Sequence, residues 1–597
     1  KRLDFTGPGF PDGEDRTMAD YRAPLDAQML ALETAGDLEA LMALPAFAAL
    51  TPDLPRAILE ESARLAETGF APLAEIGDRQ GAQCHDGVVT LPDGYAACYR
   101  DYVAGGWNGL SADPAHGGQG LPFVLAMAVQ EQLTSANMAF SLCPLLSMGA
   151  IEALQAHGSP EQQALYLPRL ATGEWSGTMN LTEPQAGSDV GALRTTATPA
   201  GDCTYRIKGT KIFITWGEHD LADNIVHLVL ARLPDAPAGT RGISLFIVPK
   251  YLPGPDGAPG ARNDLRCVSV EHKLGIHASP TCVMSYGDND ACVGWMVGPP
   301  HGGMRAMFTM MNNARIGVGL QGVAVAERAL QDALAYAADR VQAGPIIAHP
   351  DVRRMLMTMT ALTEGTRLLT YANAAAVDCA HGMESADDQA FWEARASLLT
   401  PLTKAFATDM GVEVASLGVQ VHGGMGYVEE TGVARHYRDA RIAPIYEGTN
   451  GIQALDLVNR KLRGDGGRAL EALEGEIAAF VDHCDDAALA GPLRDGLAAL
   501  ARTRAAVLAH DPVAVQCVAT PCLRLVASVV TGWLLARQAQ VAAARIAGGE
   551  GDAGFLAGRS AVARFFLSDI LPTALALEPV VRRGTGELME TSVLPAG

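Results

Sequence analysis

A carboxylate set among apolar residues and followed at once by glycine is badly placed for a solvated surface charge and well placed for a base. Residues 441–453 read Arg-Ile-Ala-Pro-Ile-Tyr-Glu-Gly-Thr-Asn-Gly-Ile-Gln, with Glu447 at the centre. Apolar neighbours disfavour its ionised form and raise its pKa toward the range of a general base. Gly448 lets a backbone or a ligand come close. Taken alone, the pattern also describes a buried structural carboxylate paired with an arginine such as Arg441. The two readings part at a second segment far upstream, residues 179–190, Met-Asn-Leu-Thr-Glu-Pro-Gln-Ala-Gly-Ser-Asp-Val, followed at 211–215 by Lys-Ile-Phe-Ile-Thr.

These stretches must be positioned by a large scaffold. The chain has 597 residues, enough for several domains, and its 48% hydrophobic and 19% charged content describes a globular protein with a large core. A formal net charge of −22 repels phosphate backbones and excludes nucleic acid as an expected partner. Eleven cysteines are scattered without a Cys-x-x-Cys pair or zinc spacing, which reads as reduced thiols in a cytoplasmic chain with no metal. Residues 1–17 carry no secretory signal and are expected to be a leader ahead of a natural start at Met18. The apolar stretch 513–547 is interrupted by Pro521, Arg524, Arg537 and Arg545, so a buried helix pair is expected there rather than a membrane span.

The pattern along the chain changes three times. Residues 24–170 are mostly helical, with one helix expected over 125–142, a glycine-rich loop at 105–120 and a helix start at Ser159-Pro160. From 173 the sequence turns β-branched. Residues 205–213 read as two short strands with a turn near Gly209, and further runs follow at 225–233, 242–248 and 266–287, a small barrel or sandwich. Helical periodicity returns after Gly303 over 355–380 and 394–421, as in a four-helix bundle, and an alanine-rich second bundle follows the linker 463–468. The expected boundaries are 18–175, 176–300, 301–463 and 464–597, an α+β multidomain chain: all-α, β, four-helix bundle, additional helical bundle.

The words and spacing of the three motif stretches resemble the acyl-CoA dehydrogenase family, over roughly residues 48–463, and the extra C-terminal bundle resembles its larger bacterial members. The resemblance implies FAD as cofactor and dehydrogenation of an acyl-CoA thioester to its trans-2-enoyl form. Removing hydrogen across Cα–Cβ needs a base on one face and a hydride acceptor on the other. Glu447 matches the base, and its backbone N–H a thioester oxygen contact. Met179, Leu181 and Thr182 match the flavin's polar edge, and Gly187 and Ser188 its diphosphate. Phe213 and Thr215 match the second flavin stretch, although many members carry Trp where this chain has Phe213. Arg340 and Gln342 match residues that reach a neighbouring subunit's flavin, Gln420 and Gly424 a stretch at the adenosine end, and Thr449 and Asn450 complete the cofactor site. Ser188, Asn312 and Arg315 match positions for the CoA portion, Tyr446 and Gly448 flank the acyl group, and residues 273–275 border the CoA entrance.

The same resemblance implies electron-transfer flavoprotein as acceptor and a homodimer, or dimer of dimers. Its expected substrate is 3-(methylthio)propanoyl-CoA. Short straight-chain acyl-CoAs are expected to serve as well, because one methylene changes binding by only about 1–3 kcal/mol. A short- or medium-chain fatty acyl-CoA dehydrogenase, an acyl-CoA oxidase and a catalytically silent flavin- or CoA-binding homologue remain the alternatives.

Overall fold

The structure, a computed structural model, describes residues 20–586, 588, 589 and 591, and the expected leader lies outside the described residues. The first part carries α1 (Leu25–Thr34), α2 (Leu38–Met42), α3 (Leu54–Leu65) and α4 (Ala71–Gln80), a short hairpin of β1 (Gln83–His85) and β2 (Val88–Thr90), and α5 (Tyr95–Ala104). Where one helix was expected over 125–142 there are two, α6 (Phe123–Ala136) and α7 (Met138–His157). Asn137 separates them: its backbone is extended, and its side chain accepts a hydrogen bond from Phe140 N, capping α7. α8 (Pro160–Thr172) begins as read, with a reciprocal Ser159–Gln162 capping box and Pro160 in its first turn, and ends on left-handed Gly173.

The middle part is built from β3 (Trp175–Asn180), β4 (Thr196–Pro199), β5 (Tyr205–Thr215), β6 (Asn224–Arg232), β7 (Ile243–Pro249), a separate hairpin of β8 (Tyr251–Pro253) and β9 (Pro259–Arg262), then β10 (Leu265–Val270), β11 (Thr281–Tyr286) and β12 (Val293–Val297). The main sheet runs β10-β11-β5-β12-β7-β6-β3, and β4 pairs with both β5 and β6, so that β4, β5, β12, β7 and β6 close on themselves. The expectation of two strands around Gly209 is corrected: β5 is one continuous strand, and Gly209 pairs with Tyr286 within it. Glycine is there for close approach, since a Cβ at 209 would sit 2.4 Å from Thr195 Oγ1.

α9 (Gly303–Asp339), α10 (Pro350–Gly382) and α11 (Ala386–His422) form the long bundle, joined by α12 (Val433–Ala440) and α13 (Asn450–Asp456). α9 and α11 meet backbone to backbone. A Cβ on Gly322 would fall 2.2 Å from Ala407 O, and one on Gly411 2.7 Å from Gly322 Cα. The last part holds α14 (Arg468–His483), α15 (Ala487–Ala509), α16 (Pro512–Cys517), α17 (Ala519–Gly548), α18 (Ala553–Phe565), α19 (Leu571–Leu575) and α20 (Glu578–Arg583). The buried helix pair expected over 513–547 is corrected: α16 is short and only partly buried, and the burial belongs to the single long α17, which has Pro521 in its first turn and lies against α10, where Gly365 leaves room for Thr531. Among the described residues, α7, α17 and the Ala553–Arg583 stretch are long and apolar enough to cross a membrane, but the apolar windows of α7 and α17 are mostly buried in the protein.

One buried ion cluster ties the parts together. Arg367 of α10 binds Glu131 of α6 at 2.8 Å, Glu327 of α9 at 2.6 Å and Glu364 at 3.1 Å, and Glu364 binds Arg559 of α18 at 2.7 Å. Such a group holds its geometry only while every charge keeps a partner.

The helix crossing makes a paired prediction. Gly322→Ala should destabilise the chain by about 1–3 kcal/mol through overpacking. Gly475→Ala, in α14 where an added Cβ meets nothing within 4 Å, should leave the thermal midpoint unchanged or raise it slightly.

Candidate active site

The Glu447 loop is held from three helices. α12 ends at Ala440, and the chain turns through residues 441–449 before Thr449 Oγ1 caps α13 by accepting from Ile452 N at 3.2 Å. Asn450 N donates to Pro444 O at 3.0 Å and closes the loop. Glu447 stands in the left-handed region at φ +53°, followed by Gly448 at +83°. A non-glycine residue keeps that conformation only where its surroundings impose it. Here Arg315 Nε of α9 donates to Glu447 O at 3.4 Å, and Gln453 Nε2 of α13 donates to the carbonyls of Glu447 and Gly448 at 3.3 Å each.

The Glu447 carboxylate makes no hydrogen bond and no ion pair among the described residues, and its backbone N–H is unpartnered there too. The pairing with Arg441 weighed from the sequence is absent: Arg441 lines a separate groove with Asp409 and Arg524. Burial pushes the Glu447 pKa up, and the charges of Arg315 and Lys404 only partly oppose it. Neighbouring Tyr446 donates its hydroxyl to Gln321 of α9.

Arg315 is buried, and its guanidinium also lines a cleft of about 1020 Å³ between α7, α9 and the start of α11. Asn312 lies in the same cleft, exposed, with Glu152, Asp456 and Lys461. Burial raises the Glu152 carboxyl to about 8, against a hydrogen bond from Asn313. The 273–275 segment, expected at the same entrance, is elsewhere. Lys273 Nζ donates to Ser279 O at 3.0 Å, and a Cβ on Gly275 would meet Arg438 C at 2.6 Å, so this segment packs on α12.

The two upstream stretches come together as the resemblance implied. Ile212 N donates to Thr182 O at 2.9 Å, and Thr178 Oγ1 donates to Thr215 O at 2.7 Å. Met179 is buried in the same apolar cluster as Met307 and Met310 of α9, Leu181 and Thr182 are half-buried, and Gly187 and Ser188 are exposed. Phe213 sits on a β-bulge: Ile212 and Phe213 together face Val283 of β11. At φ +58° the bulge turns the ring outward, and Phe213 is 58% exposed, unusual for an aromatic in a strand. Trp216 does not stand in for it. Its indole is in the core, stacked on Phe140.

Sequence reasoning left Glu183 and Lys211 without a role. Lys211 Nζ, fully buried, donates to Glu183 Oε1 and to Leu181 O, both at 2.9 Å, while Glu183 also accepts from Arg194 N at 2.7 Å and from Thr195 N at 3.0 Å. Burial opposes the Glu183 charge, but Lys211 and these donors prevail and hold it at about 2. The pair therefore anchors the Thr182 turn. Lys404 was also passed over, although a lysine flanked by Leu402, Ala405 and Phe406 was a visible signal. Asn450, expected to face the cofactor, here binds Lys404, Thr408 and Asp409.

Four expected residues lie far from this place. Arg340 follows α9 by 25 residues from Arg315, about 37 Å along the helix axis. Gln342, Gln420 and Gly424 belong to the same far end, where Tyr336 stacks on His422 at 4.2 Å. Within one chain they do not meet Glu447.

Family models match along the chain: acyl-CoA dehydrogenase N-terminal domain at 54–174, middle domain at 178–288 and C-terminal domain at 301–462, and an acetyl-CoA dehydrogenase C-terminal-like model at 473–592. The chain is 50% identical to 3-methylmercaptopropionyl-CoA dehydrogenase of Ruegeria pomeroyi, over 92% of this chain and 96% of that one. It is 36% identical to a butyryl-CoA dehydrogenase of Syntrophomonas wolfei, over 86% and 89%. In fold it is similar to an acyl-CoA dehydrogenase from Bacillus anthracis complexed with FAD, at a TM-score of 0.73 and 23% identity over 89% of each chain.

Two outcomes follow from the Glu183–Lys211 pair. Lys211→Met leaves a buried carboxylate unpaired and should cost about 3–5 kcal/mol of stability, read from the denaturation midpoint. Because the folded Glu183 pKa lies at about 2, below its unfolded value of about 4.3, the stability it contributes is fully present above that unfolded value. It is lost as pH falls toward 2, and an acid-unfolding curve of the variant should lack this component.

Proposed function

The chain belongs to the acyl-CoA dehydrogenase family, an oxidoreductase that dehydrogenates acyl-CoA thioesters, and from that premise we propose that it converts 3-(methylthio)propanoyl-CoA to 3-(methylthio)acryloyl-CoA with Glu447 as the base. The observation that carries the substrate is the 50% identity to 3-methylmercaptopropionyl-CoA dehydrogenase across nearly the whole of both chains.

The residues fit FAD, the family's cofactor. An exposed Phe213 ring stands beside the half-buried Leu181–Thr182 backbone, with Thr215 tied beneath it and the small, exposed Gly187 and Ser188 at the far side of the turn. When bound, FAD supplies the acceptor for the β-hydride. The chain's own part is to position and deprotonate. Glu447 takes the α-proton onto a carboxylate that burial has made more basic than a surface glutamate. Its unpartnered backbone N–H is free to donate to the thioester oxygen and stabilise charge developing there. Arg315 keeps the loop in its left-handed turn while lining the cleft, and with Asn312 it meets the CoA portion. Tyr446 and Gly448 border the acyl group, and Ser188 meets the CoA arm.

Arg340, Gln342, Gln420 and Gly424 act in a second copy's cofactor site. Their distance from Glu447 supports a homodimer, or a dimer of dimers, over a role within one chain. Electrons leave to electron-transfer flavoprotein, and the enzyme works in the cytoplasm, in keeping with eleven free cysteines.

Glu447→Gln should retain FAD absorbance and lose about 10²–10⁴-fold in turnover, and turnover near the parent level would reject the base. Because the base must be ionised, kcat/KM should be full above the Glu447 pKa. It should fall as pH drops through a value higher than a surface glutamate's. In anaerobic flavin reduction, 3-(methylthio)propanoyl-CoA and butanoyl-CoA should outpace dodecanoyl-CoA at least about tenfold. Stoichiometric peroxide with enoyl product would instead identify an oxidase.

A further inference from the structure

Lysine is seldom buried without a counter-ion, because an ammonium leaves water only at a cost of several kcal/mol. Lys404, midway along α11, is fully buried. Among the described residues it forms no ion pair, and its Nζ makes one hydrogen bond, 2.9 Å to Asn450 Oδ1. Asn450 is held in turn: Nδ2 donates to Ala405 O at 3.1 Å, to Thr408 Oγ1 at 3.0 Å and to Asp409 Oδ1 at 2.7 Å. Its carbonyl thus faces a cation and its amide N–H₂ a carboxylate, the only sensible orientation. Through Asn450 N and Pro444 O, the same residue closes the Glu447 loop.

Few charges surround this place. Glu447 is faced by Arg315 from α9 and Lys404 from α11, with the Tyr446 hydroxyl beside it. Lys404 is faced by Glu447 from the loop, Asp409 from its own helix and Arg315 from α9. Asp409 is bonded to Asn450 and also faces Arg524 and Arg441. Arg315 also faces Asp456 and Arg460, and it directs its Nε to the Glu447 carbonyl. The one carboxylate near Lys404 with no bond of its own is therefore Glu447. Burial draws Lys404 down to about 7, and the Glu447 charge resists that fall.

We propose that Lys404 is a positioning residue for the base: its ammonium, hung on Asn450, fixes the Glu447 loop and supplies the buried positive charge that keeps the Glu447 carboxylate ionised and ready for the α-proton. The inference rests on Glu447 being the base. A cation close by makes that carboxylate slightly less basic, but it also keeps it from taking up a proton from solvent before substrate arrives. Arg315 alone, committed to a backbone carbonyl and shared with Asp456, does this incompletely.

The test uses the full FAD-loaded chain with butanoyl-CoA and a dye acceptor, following kcat/KM against pH. In Lys404→Met the acid limb should move up by about one pH unit, about a tenfold loss of kcat/KM below the limb, with the alkaline plateau reduced far less. Asn450→Ala, which removes the ammonium's acceptor, should move the limb in the same direction and is read in its place if Lys404→Met loses flavin or its thermal transition. An unmoved limb in the variant that keeps its flavin overturns the proposal. Glu447→Gln, run beside them, separates the two claims. Turnover near the parent level in Glu447→Gln would overturn the base assignment itself, whereas a Glu447→Gln reduced about 10²–10⁴-fold beside an unmoved limb in the lysine variant sinks the role of Lys404 alone.

Discussion

A half-buried carboxylate without a partner is the constraint around which the rest is arranged. Leaving Glu447 unpaired is unfavourable, and holding it at φ +53° adds backbone strain. Neither persists unless other parts of the molecule enforce it. Arg315 arrives from α9, Gln453 from α13 and Lys404, through Asn450, from α11. Each ties down the loop's backbone rather than the carboxylate, which stays available for a proton. Two of these side chains, Arg315 and Lys404, stand on α9 and α11, whose close crossing at Gly322 and Gly411 sets the two helices against each other.

The β-part solves the opposite problem. There a carboxylate must not react, and Glu183 is fully bonded: Lys211 on one side, the N–H groups of Arg194 and Thr195 on the other. Two glutamates in motif stretches thus diverge because their surroundings differ, one raised by burial and one held at about 2 by a buried lysine and donors. The Glu183 bonds in turn fix the Thr182 turn against β5, whose bulge presents Phe213. The ring's exposure and the turn's rigidity are consequences of the same strand pairing.

The C-terminal helices reach this machinery indirectly. Arg559 joins Glu364 in the cluster around Arg367, and that cluster also holds Glu131 and Glu327. Glu327 lies on α9, three turns beyond Arg315, so the extra domain braces the helix that carries the loop's main tether. A chain of this kind uses buried charge twice, to join domains and to tune a site.

Much of this was legible in local sequence. The succession of helical, β and helical periodicities follows from side-chain spacing alone, and the Ser159-Pro160 start and the burial of most of 519–547 follow from residue chemistry. The motif words located Glu447, Thr182, Phe213 and Arg315, because those stretches are contiguous. What failed was whatever depended on a distant neighbour. Gly209 looked like a turn until Thr195 was seen against it, and Asn137 split a helix by reaching its own backbone. Lys404 and Lys211 look like ordinary charged residues until α11 and β5 are buried. Helix length is what sets Arg340 and Gln420 apart from Glu447 within one chain, and no local pattern shows that distance. Composition and periodicity determine which segments form and which residue types lie together along the chain. Only tertiary packing decides which charges lose their water, and that loss of solvent is what separates a base from a salt bridge.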